Sequence, residues 1–350
     1  MKAALKNEDG TFEVKQVDNL QLPAPDWVKV RVRVSGICGT DLRHWKKAEH
    51  DLVCKIMGHE MAGEVVEVGT AVTNVKPGDR VVVETLLGDG TCDWCRVQQY
   101  NLCPNLYKVR METVSRAFAE YVIGPSTKFH LLPDHVSFEE ATLLDTFSVC
   151  LHAQQLSGLK INDKVVVIGA GPIGIGQTQL AKASGADVII ADIVDSSLQI
   201  AKSLGADHIV NLTREDIHQS VMEFTSGRGA DISFECAGGP SMPETLETAV
   251  SLTRIGGRVL IVGGFEKGKI DISLSWQDLQ MKEIQLIPSA SYAFWDIYPE
   301  MSICLELLAK GKINAKKMIT HEFTLDEINK AFATADDKEH TGALFVALKN

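Results

Sequence analysis

The stretch from residue 165 to residue 192 constrains the fold of this chain more than any other part of the sequence. Val165-Val166-Val167-Ile168 is an apolar run typical of a buried strand, and Gly169-Ala170-Gly171-Pro172-Ile173-Gly174 follows it directly. Residues 174–184 have the pattern of a helix, and Val188-Ile189-Ile190-Ala191-Asp192 is a second apolar strand pattern. A buried strand, a glycine-rich turn, a helix and another buried strand form one βαβ unit of a parallel sheet that is covered on both faces.

The spacing G-x-G-x-x-G in this context predicts a dinucleotide site. Gly169 permits the tight turn, Gly171 lets the backbone approach a pyrophosphate, and Gly174 lets the helix pack closely on the strand. Asp192 follows Gly174 by 18 residues, where a carboxylate binds the ribose hydroxyls and repels a 2′-phosphate, so NAD is predicted rather than NADP. The alternative is a glycine turn that binds no ligand. The predicted cofactor-binding residues are Gly169, Gly171, Pro172, Ile173, Gly174, Asp192, Val262 and Gly263.

The first 135 residues contain short strand patterns separated by Gly, Pro and Asp. The segment Val28–Val34 alternates apolar and polar residues, which predicts a half-buried strand. Further strands are predicted at Gly63–Val68 and Arg80–Val83, with a turn at Pro77-Gly78-Asp79. A series of this kind predicts a barrel-like or sandwich-like β domain.

After residue 135, helix and strand patterns alternate. Ser137 and Glu140 form a capping-box pattern, which predicts a helix that continues to about Ser157. Later strands are predicted at Asp231–Phe234 and Gly257–Val262, and the second of these is a candidate for a sheet edge that pairs between subunits.

The length of 350 residues favours two domains. The last 62 residues contain two helix patterns and a closing strand pattern at Ala343–Leu348, and this tail is expected to rejoin the first domain. We therefore predict one β-rich domain made of residues 1–151 and 289–350, and a nucleotide-binding domain made of residues 152–288. The predicted fold class is α/β.

Four potential metal ligands are crowded into one short segment. Asp89, Cys92, Cys95 and Cys103 are separated by two, two and seven residues, so two turns and a loop can surround one tetrahedral ion. Three thiolates and a carboxylate fill the shell and leave no open position, which predicts a structural zinc. Asp89 also suits the turn at residues 88–90, which is the alternative to its ligation.

A second pair of potential ligands lies within residues 36–69. Cys38 follows Gly36-Ile37, and His59 stands between Gly58 and Glu60. Thiolate and neutral imidazole are the ligands that zinc prefers, and a site that draws its third ligand from elsewhere suits catalysis. The alternative is a buried cysteine and an unrelated histidine.

Taken together, these motifs resemble those of the zinc-dependent medium-chain dehydrogenases/reductases. The most similar branch contains the polyol (sorbitol and butanediol) and threonine dehydrogenases. The resemblance covers essentially the whole chain and implies a GroES-like β-rich catalytic domain and a Rossmann domain with a doubly wound parallel sheet. The motifs that carry it, in family order, are Cys38-Gly39-Thr40-Asp41, Gly58-His59-Glu60, the lobe at residues 89–103, Phe118-Ala119-Glu120-Tyr121 and the glycine fingerprint.

The resemblance implies roles for individual residues. Cys38 and His59 match the catalytic zinc ligands, and Glu60 matches a residue that binds the metal directly or through water. The third ligand in this branch is a Glu, and Asp145 takes its position with a side chain about 1.5 Å shorter. Asp145 is therefore predicted to bind zinc, either directly or through water with Glu60 drawn in. His152, in the same stretch, is interpreted as a helix residue rather than a ligand.

Proton transfer is predicted to begin at Thr40, whose hydroxyl stands two residues after Cys38. The alternative role of Thr40 is a local hydrogen bond in a turn. The family often has a relay His five residues after the zinc cysteine, where this chain has Arg43, and His44 comes next. The relay is predicted to end at His44, in solvent or by another route. Residues 107–117 are expected to line the substrate site.

The sequence thus predicts a zinc- and NAD-dependent dehydrogenase that oxidises a secondary alcohol to a ketone. Polyols, cyclitols, sugar alcohols and amino alcohols such as threonine are all candidate substrates. The alternatives are a zinc-free reductase on the same fold and a non-catalytic NAD-binding protein on the same scaffold.

Composition excludes other classes of function. A net charge of −11 argues against non-specific nucleic-acid binding, which needs a basic surface. No window approaches 18 consecutive apolar residues, so no membrane span is expected. The lack of a signal-peptide pattern and the clustered cysteines indicate the reducing cytoplasm. Relatives in the family are dimers or tetramers, which implies a homodimer or homotetramer.

Overall fold

The computed structural model describes residues 1–46, 56–106, 116–264 and 269–350. The chain divides into two compact units. Unit 1 comprises Met1–Asp145, Asp296–Lys310 and Met318–Asn350, and unit 2 comprises Thr146–Trp295 and Gly311–Lys317. The predicted domains change at 151/152 and 288/289, whereas the units change at 145/146 and 295/296, and residues 311–317 add a short return to unit 2.

The elements are numbered here in chain order. The strands are β1 Lys2–Lys6, β2 Phe12–Gln16, β3 Trp27–Gly36, β4 Glu60–Val68, β5 Arg80–Val83, β6 Tyr121–Pro125, β7 Phe129–Leu131, β8 Lys164–Ile168, β9 Asp187–Asp192, β10 His208–Asn211, β11 Ala230–Glu235, β12 Thr253–Ile261, β13 Gln285–Pro288, β14 Phe294–Trp295, β15 Tyr298–Pro299, β16 Ile319–Thr324 and β17 Phe345–Lys349. The α-helices are α1 Gly39–Lys46, α2 Asp93–Arg96, α3 Phe138–Thr142, α4 Leu144–Ser157, α5 Pro172–Ala183, α6 Asp195–Ser203, α7 Ile217–Phe224, α8 Met242–Leu252, α9 Trp276–Lys282, α10 Glu300–Ala309, α11 Ile328–Asp336 and α12 Lys338–Thr341. Short 3₁₀ helices occur at Tyr100–Leu102, Ser126–Lys128, Gly239–Ser241, Lys316–Met318 and Leu325–Glu327. None of the described helices has the length and apolar character needed to cross a bilayer.

Unit 1 is built on a sheet whose strand order is β16-β17-β3-β4-β5-β7, with β6 pairing a second segment of β3. The predicted strand at Val28–Val34 lies within β3, and its valines at 28, 30, 32 and 34 are buried, as the alternation predicts. β17 pairs antiparallel with β3, so the C-terminal tail completes the first sheet. Helix α1 is anchored by Trp45, whose ring centroid lies 5.6 Å from that of the buried Phe332 in α11.

Unit 2 is a parallel sheet with strand order β10-β9-β8-β11-β12-β13. Numbered within the unit, this order is 3-2-1-4-5-6, that of a doubly wound dinucleotide-binding sheet. The predicted fold class, a GroES-like β-rich part and a Rossmann parallel sheet in the α/β class, is confirmed.

Two sequence predictions need correction. The helix predicted from Ser137 to Ser157 has its capping box, but it is interrupted at Leu143 and becomes α3 and α4. The Thr142 hydroxyl donates to the Glu139 carbonyl (2.7 Å) and the Leu143 N–H donates to the Glu140 carbonyl (3.3 Å), so the regular helical hydrogen bonding is broken there. The strand predicted at 257–262 is not a sheet edge, because β13 covers β12 and is itself the edge strand.

A buried ionic network crosses the sheet of unit 1. Glu84, directly after β5, is 2% exposed and accepts a hydrogen bond from Lys128 Nζ (2.7 Å). Its carboxylate also contacts the Tyr100 hydroxyl and His130 Nε2, the latter at 3.2 Å. Burial opposes the charge of Glu84, but Lys128 and His130 outweigh burial and lower the pKa of Glu84 to about 2. The network therefore joins the segment that contains Tyr100 to the strands β5 and β7.

Glu84→Gln is expected to destabilise the protein by about 3 kcal/mol or more at neutral pH, because it leaves the Lys128 charge buried without its partner. The pKa of Glu84 is depressed, so its contribution is fully present above its ordinary pKa of 4.5 and is lost as pH falls toward about 2. Denaturant unfolding of both proteins at pH 7 and between pH 5 and 3 measures this. The difference between them should shrink on acidification.

The matched control is Glu64→Gln, which breaks a half-exposed ion pair with Arg33 (2.9 Å) in the same sheet. Exposed pairs contribute about 0–1 kcal/mol. Equal destabilisation by the two substitutions would contradict the role assigned to the buried network.

Candidate functional site

Cys38 and His59 are brought together by the pairing of β3 with β4. The two strands are antiparallel and Gly36, the last residue of β3, lies opposite Glu60, the first of β4. Cys38 follows the end of β3 by two residues and His59 precedes β4 by one, so both side chains emerge at the same end of the ladder. A Cβ at position 36 would lie 2.6 Å from Glu60 Oε2 and 2.3 Å from Phe345, so only glycine fits there.

One thiol, one imidazole and one carboxylate form a compact group at this position. The ligand atoms of Cys38, His59 and Glu60 all lie within 4.8 Å of one another. Ligands of a tetrahedral zinc at its usual bond lengths stand about 3.3–3.8 Å apart, so the group can close on one ion with a small adjustment. His59 and Glu60 are buried and Cys38 is half-buried. These donors fit a zinc ion with an exchangeable position.

Asp41 lies behind His59 and is a residue to which sequence reasoning gave no role. Its carboxylate is 3% exposed, stands 3.6 Å from His59 Nδ1 and accepts a hydrogen bond from the Cys38 N–H (3.1 Å). Carboxylates that orient a metal-binding imidazole in this way are common in zinc sites. The signal in the sequence is a carboxylate three residues after the cysteine, in the first turn of α1, but its contact with His59 depends on the strand pairing.

The same contact changes the protonation of His59. Burial by itself lowers the pKa of His59, but the Asp41 carboxylate and the Cys38 thiol outweigh burial and raise the pKa well above its ordinary value. A proton therefore competes with a metal for the His59 ring, so metal binding at this group is expected to weaken as the pH falls.

Thr40, Arg43 and His44 all lie on α1. Arg43 Nη2 donates a hydrogen bond to Thr40 Oγ1 at 2.9 Å. His44 is exposed, and its backbone carbonyl accepts a hydrogen bond from Lys6 Nζ (2.6 Å). An arginine stays protonated at any ordinary pH, so Arg43 can orient the Thr40 hydroxyl but cannot relay a proton.

Asp145 lies in the first turn of α4 and is 8% exposed. It does not belong to the group of described side chains that surrounds Cys38, where Glu60 supplies the carboxylate. Its ligation of the metal stays a prediction. The segment 107–117, expected to line the substrate site, falls mostly outside the described residues, which resume at 116.

A second group of potential ligands contains Asp89, Cys92, Cys95 and Cys103, with ligand atoms within 4.8 Å of one another. Helix α2 starts after Cys92, whose Sγ accepts from the Cys95 N–H (3.4 Å), and the Cys103 Sγ accepts from the Asp89 N–H (3.4 Å). Gly88 is required nearby, because a Cβ there would lie 2.4 Å from Cys95 Sγ. Three thiols and one carboxylate fit a closed tetrahedral zinc site.

The Asp89 carboxylate is also the centre of the loop. Oδ1 accepts from the N–H groups of Thr91 (2.9 Å) and Cys92 (3.0 Å), and Oδ2 accepts from Asn105 Nδ2 (2.7 Å). These hydrogen bonds hold the pKa of Asp89 well below its ordinary range. Both interpretations of Asp89, turn residue and ligand, are therefore compatible with its position.

The dinucleotide fingerprint forms the turn between β8 and α5. Gly169 has φ of +99° and Gly174 has no room for a Cβ, which would lie 1.8 Å from the Gly169 carbonyl oxygen. Gly171 caps α5 and Pro172 is its first residue, so Ile173 and the free N–H groups of the first turn lie at the carboxyl end of the sheet. Ligands of doubly wound sheets bind at this end, beside the point where the strand order reverses.

Asp192 ends β9 next to this turn. Its carboxylate accepts hydrogen bonds from the N–H groups of Ala170, Ile193 (2.7 Å) and Val194 (2.9 Å). The fingerprint turn and the acidic residue are thus joined directly. The remaining lone pairs of the carboxylate are at the correct end of the sheet for ribose hydroxyls.

Val262 and Gly263 lie beyond β12, at the same end of the sheet, and both N–H groups donate to the Glu235 carbonyl (2.9 Å each). The Glu235 side chain is fully buried and accepts from Gly238 N–H (2.9 Å) and Thr245 Oγ1 (2.9 Å). Burial raises the pKa of this carboxyl. Sequence reasoning gave Glu235 no role. The signal in the sequence is its position as an acidic residue at the end of an apolar strand.

Comparison with known proteins identifies two family models that match successive parts of the chain. Residues 24–134 match the family model of the alcohol dehydrogenase GroES-like domain, and residues 172–309 match that of the zinc-binding dehydrogenases. The chain is 37% identical over 339 residues to D-arabitol-phosphate dehydrogenase from Enterococcus avium, an alignment that covers 95% of this chain and 93% of that protein. It is 34% identical over 342 residues to sorbitol dehydrogenase from Bacillus subtilis, with 96% and 93% covered. The crystal structure of galactitol-1-phosphate dehydrogenase from Escherichia coli is similar with a TM-score of 0.89 at 27% identity, and the match covers 100% of both chains.

Asp41→Asn is expected to weaken metal binding at Cys38 and His59 by about 10- to 100-fold, because it removes the charge that orients His59 while keeping an oxygen for the Cys38 N–H. Competition with a chelator, followed by the metal content per chain, measures this. The Cys92–Cys103 site in the same molecule is the internal reference and should keep its metal.

A matched control is Asp79→Asn, since the Asp79 carboxylate also accepts a backbone hydrogen bond, from Lys76 N–H (2.9 Å), away from both ligand groups. Metal affinity in Asp41→Asn that equals that of this control would contradict the role of Asp41.

Proposed function

The chain belongs to the zinc-binding medium-chain dehydrogenase family, and we propose that it oxidises a secondary hydroxyl group of a polyol to a ketone with NAD as the hydride acceptor. It is an oxidoreductase of the class that acts on CH–OH groups and uses zinc and a nicotinamide cofactor. The observation that carries the proposal is the group of Cys38, His59 and Glu60, with Asp41 behind the imidazole. A protein that only binds NAD has no need of such a group.

Cys38 and His59 are the proposed metal ligands, and Glu60 or Asp145 supplies the carboxylate. Bound there, zinc supplies Lewis-acid polarisation of the substrate hydroxyl, and the nicotinamide supplies the hydride acceptor. Asp89, Cys92, Cys95 and Cys103 are the proposed ligands of a structural zinc.

Thr40 is the proposed first proton acceptor. Because Arg43 donates to one lone pair of Thr40 Oγ1, the hydroxyl hydrogen is directed elsewhere and the other lone pair stays available. The hydroxyl can then accept the substrate proton while passing on its own. His44, exposed on the same helix, is the proposed exit, since imidazole exchanges protons with water near neutral pH.

The environment of Asp192 supports NAD rather than NADP. A 2′-phosphate would meet a carboxylate that is fixed by three backbone N–H groups. Arg214 lies in the loop after β10, and its guanidinium makes a two-pronged ion pair with Asp195 (2.6 and 2.8 Å). This arginine is therefore already engaged and does not offer a free charge to a 2′-phosphate.

The polyol class of substrate is proposed from the relatives. The proteins of 37% and 34% identity are named for D-arabitol phosphate, which is a phosphate ester of a sugar alcohol, and for sorbitol, which is a sugar alcohol. In either molecule a secondary hydroxyl is flanked by further hydroxyls, and polar groups are needed to orient it. We also propose a cytoplasmic location, because the three thiols at 92, 95 and 103 must stay reduced to bind a metal.

The edge strand β13 supports a homo-oligomer, the proposed state being a dimer or tetramer. Among the described strands, none pairs with the outer side of β13, and exposed edges of this kind pair readily with another chain. Exposed apolar side chains occur in the segments that flank it: Ile270, Ile272, Trp276 and Met281. The mass in solution by sedimentation equilibrium should be two or four times 38.2 kDa, and a monomer at micromolar concentration would contradict the proposal.

The function is tested by a panel of polyols, cyclitols and amino alcohols read by NADH absorbance, with zinc measured on the same sample. The expected result is oxidation of at least one polyol, faster with NAD than with NADP, by a protein with two zinc ions per chain. Cys38→Ala should bind one zinc ion fewer per chain, since the remaining ligands cannot hold the metal. Its turnover number should fall by at least about 10³-fold. NAD binding by Cys38→Ala should be unchanged.

Cys304→Ala is the matched control, because Cys304 is a buried cysteine in neither ligand group. Full turnover by metal-free Cys38→Ala would exclude the proposed mechanism. A two-zinc protein that binds NAD but oxidises nothing in the panel would exclude the proposed substrate class.

A further inference from the structure

Arg43 is a cation at the predicted reaction site that the proposed chemistry does not use as an acid or base. Its guanidinium lies within one hydrogen bond of Thr40, the residue proposed to take the substrate proton. The side chain is half-buried on α1, and the helix is held by the contact of Trp45 with Phe332. The Arg43 side chain is therefore held next to Thr40 rather than extended into solvent.

The guanidinium of Arg43 has no carboxylate partner among the residues that the structure describes. Across the residues that the structure describes, no carboxylate oxygen lies within 4.0 Å of its guanidinium. Its neighbours in unit 1 differ, because Lys46 pairs with Asp336 (2.5 Å) and Arg33 pairs with Glu64 (2.9 Å). A guanidinium with no acidic partner in the described part of the chain is notable where the full sequence has 46 acidic and 35 basic residues. Of its five N–H donors, the described contacts use one, on Thr40.

A partly buried cation with free donors suits an anionic ligand. Guanidinium binds phosphate through paired, charge-assisted hydrogen bonds, which fix orientation as well as add affinity. The chain as a whole carries −11 and repels anions, so an anionic substrate needs a local positive charge at the site. A neutral polyol has no such requirement.

We propose that Arg43 binds the phosphate group of a phosphorylated polyol, which makes a sugar-alcohol phosphate the substrate class of the site. This inference rests on the proposed dehydrogenase function and deepens it. The names of two similar proteins, D-arabitol-phosphate dehydrogenase and galactitol-1-phosphate dehydrogenase, contain a substrate of this class. With the phosphate at Arg43, the hydroxyl to be oxidised lies farther along the same carbon chain, toward Cys38 and His59.

The inference is tested with D-arabitol 1-phosphate, D-arabitol and L-idonate as substrates. The wild-type protein should have a kcat/KM for the phosphate ester at least 100-fold above that for D-arabitol. Arg43→Gln should lower kcat/KM for the ester by about 10- to 100-fold, mostly through KM, because one charge-assisted interaction is lost. Arg43→Lys should retain part of the preference, since it keeps the charge but not the paired donors.

The readout that isolates the phosphate is the ratio of kcat/KM for ester and free polyol. If Arg43 serves only to orient Thr40, Arg43→Gln lowers both values equally and the ratio stays constant, which would overturn the inference. A stronger wild-type preference for L-idonate, a carboxylate, would overturn it as well. Inorganic phosphate should inhibit oxidation of D-arabitol competitively in the wild type and about tenfold more weakly in Arg43→Gln.

Lys46→Gln is the matched control, because it removes a positive charge from the same helix at an exposed, paired position. Its ratio should equal that of the wild type. Zinc content and NAD affinity, measured on every variant, should be unchanged. A wild-type protein that oxidises D-arabitol but not its phosphate overturns the inference and leaves the dehydrogenase proposal standing, whereas oxidation of no alcohol at all overturns both.

Discussion

The register of β3 against β4 is the constraint on which the candidate active site depends. Gly36 opposite Glu60 brings Cys38 and His59 together although they are 21 positions apart in the chain. A shift by one residue would turn the Glu60 side chain to the other face of the sheet and move His59 relative to Cys38. Gly36 is one of the features that fix this register, because Glu60 and Phe345 leave no room for a Cβ at that position.

The parts of the protein that could be predicted from sequence are those set by neighbours in the chain. The geometry of the fingerprint at 169–174 is set locally, because the positive φ of Gly169 and the missing Cβ of Gly174 are both requirements of the same turn. The three cysteines of the lobe lie close in the chain, so their spacing already limits how far apart the thiols can be. The buried face of β3 could likewise be predicted, because the alternation of apolar and polar residues is a property of neighbouring positions in the chain.

The parts that could not be predicted depend on contacts between distant segments. Asp41 belongs to the motif Cys38-Gly39-Thr40-Asp41, but only the strand pairing places it against His59. The pattern of β12 is equally compatible with an edge and an inner strand, and the later strand β13 decides which. The interruption at Leu143 depends on a side-chain hydrogen bond of Thr142 that competes with the helix. In each case the residue could be identified from the sequence, but the distant residue or strand that it contacts could not.

The two ligand groups of unit 1 are not independent in the fold. Lys128 lies with its ammonium 3.6 Å from the ring centroid of Tyr100, between the cysteine lobe and Glu84. The residue after Glu84 is Thr85, whose hydroxyl donates to the His59 carbonyl at 3.4 Å. Three thiolates and a carboxylate around a divalent ion carry a net charge of about −2, and Lys128 is a buried cation placed to balance part of that charge. A zinc ion held by Asp89, Cys92, Cys95 and Cys103, as proposed, would therefore act beyond its own loop, since the ion pair of Lys128 with Glu84 lies one residue from a contact with His59.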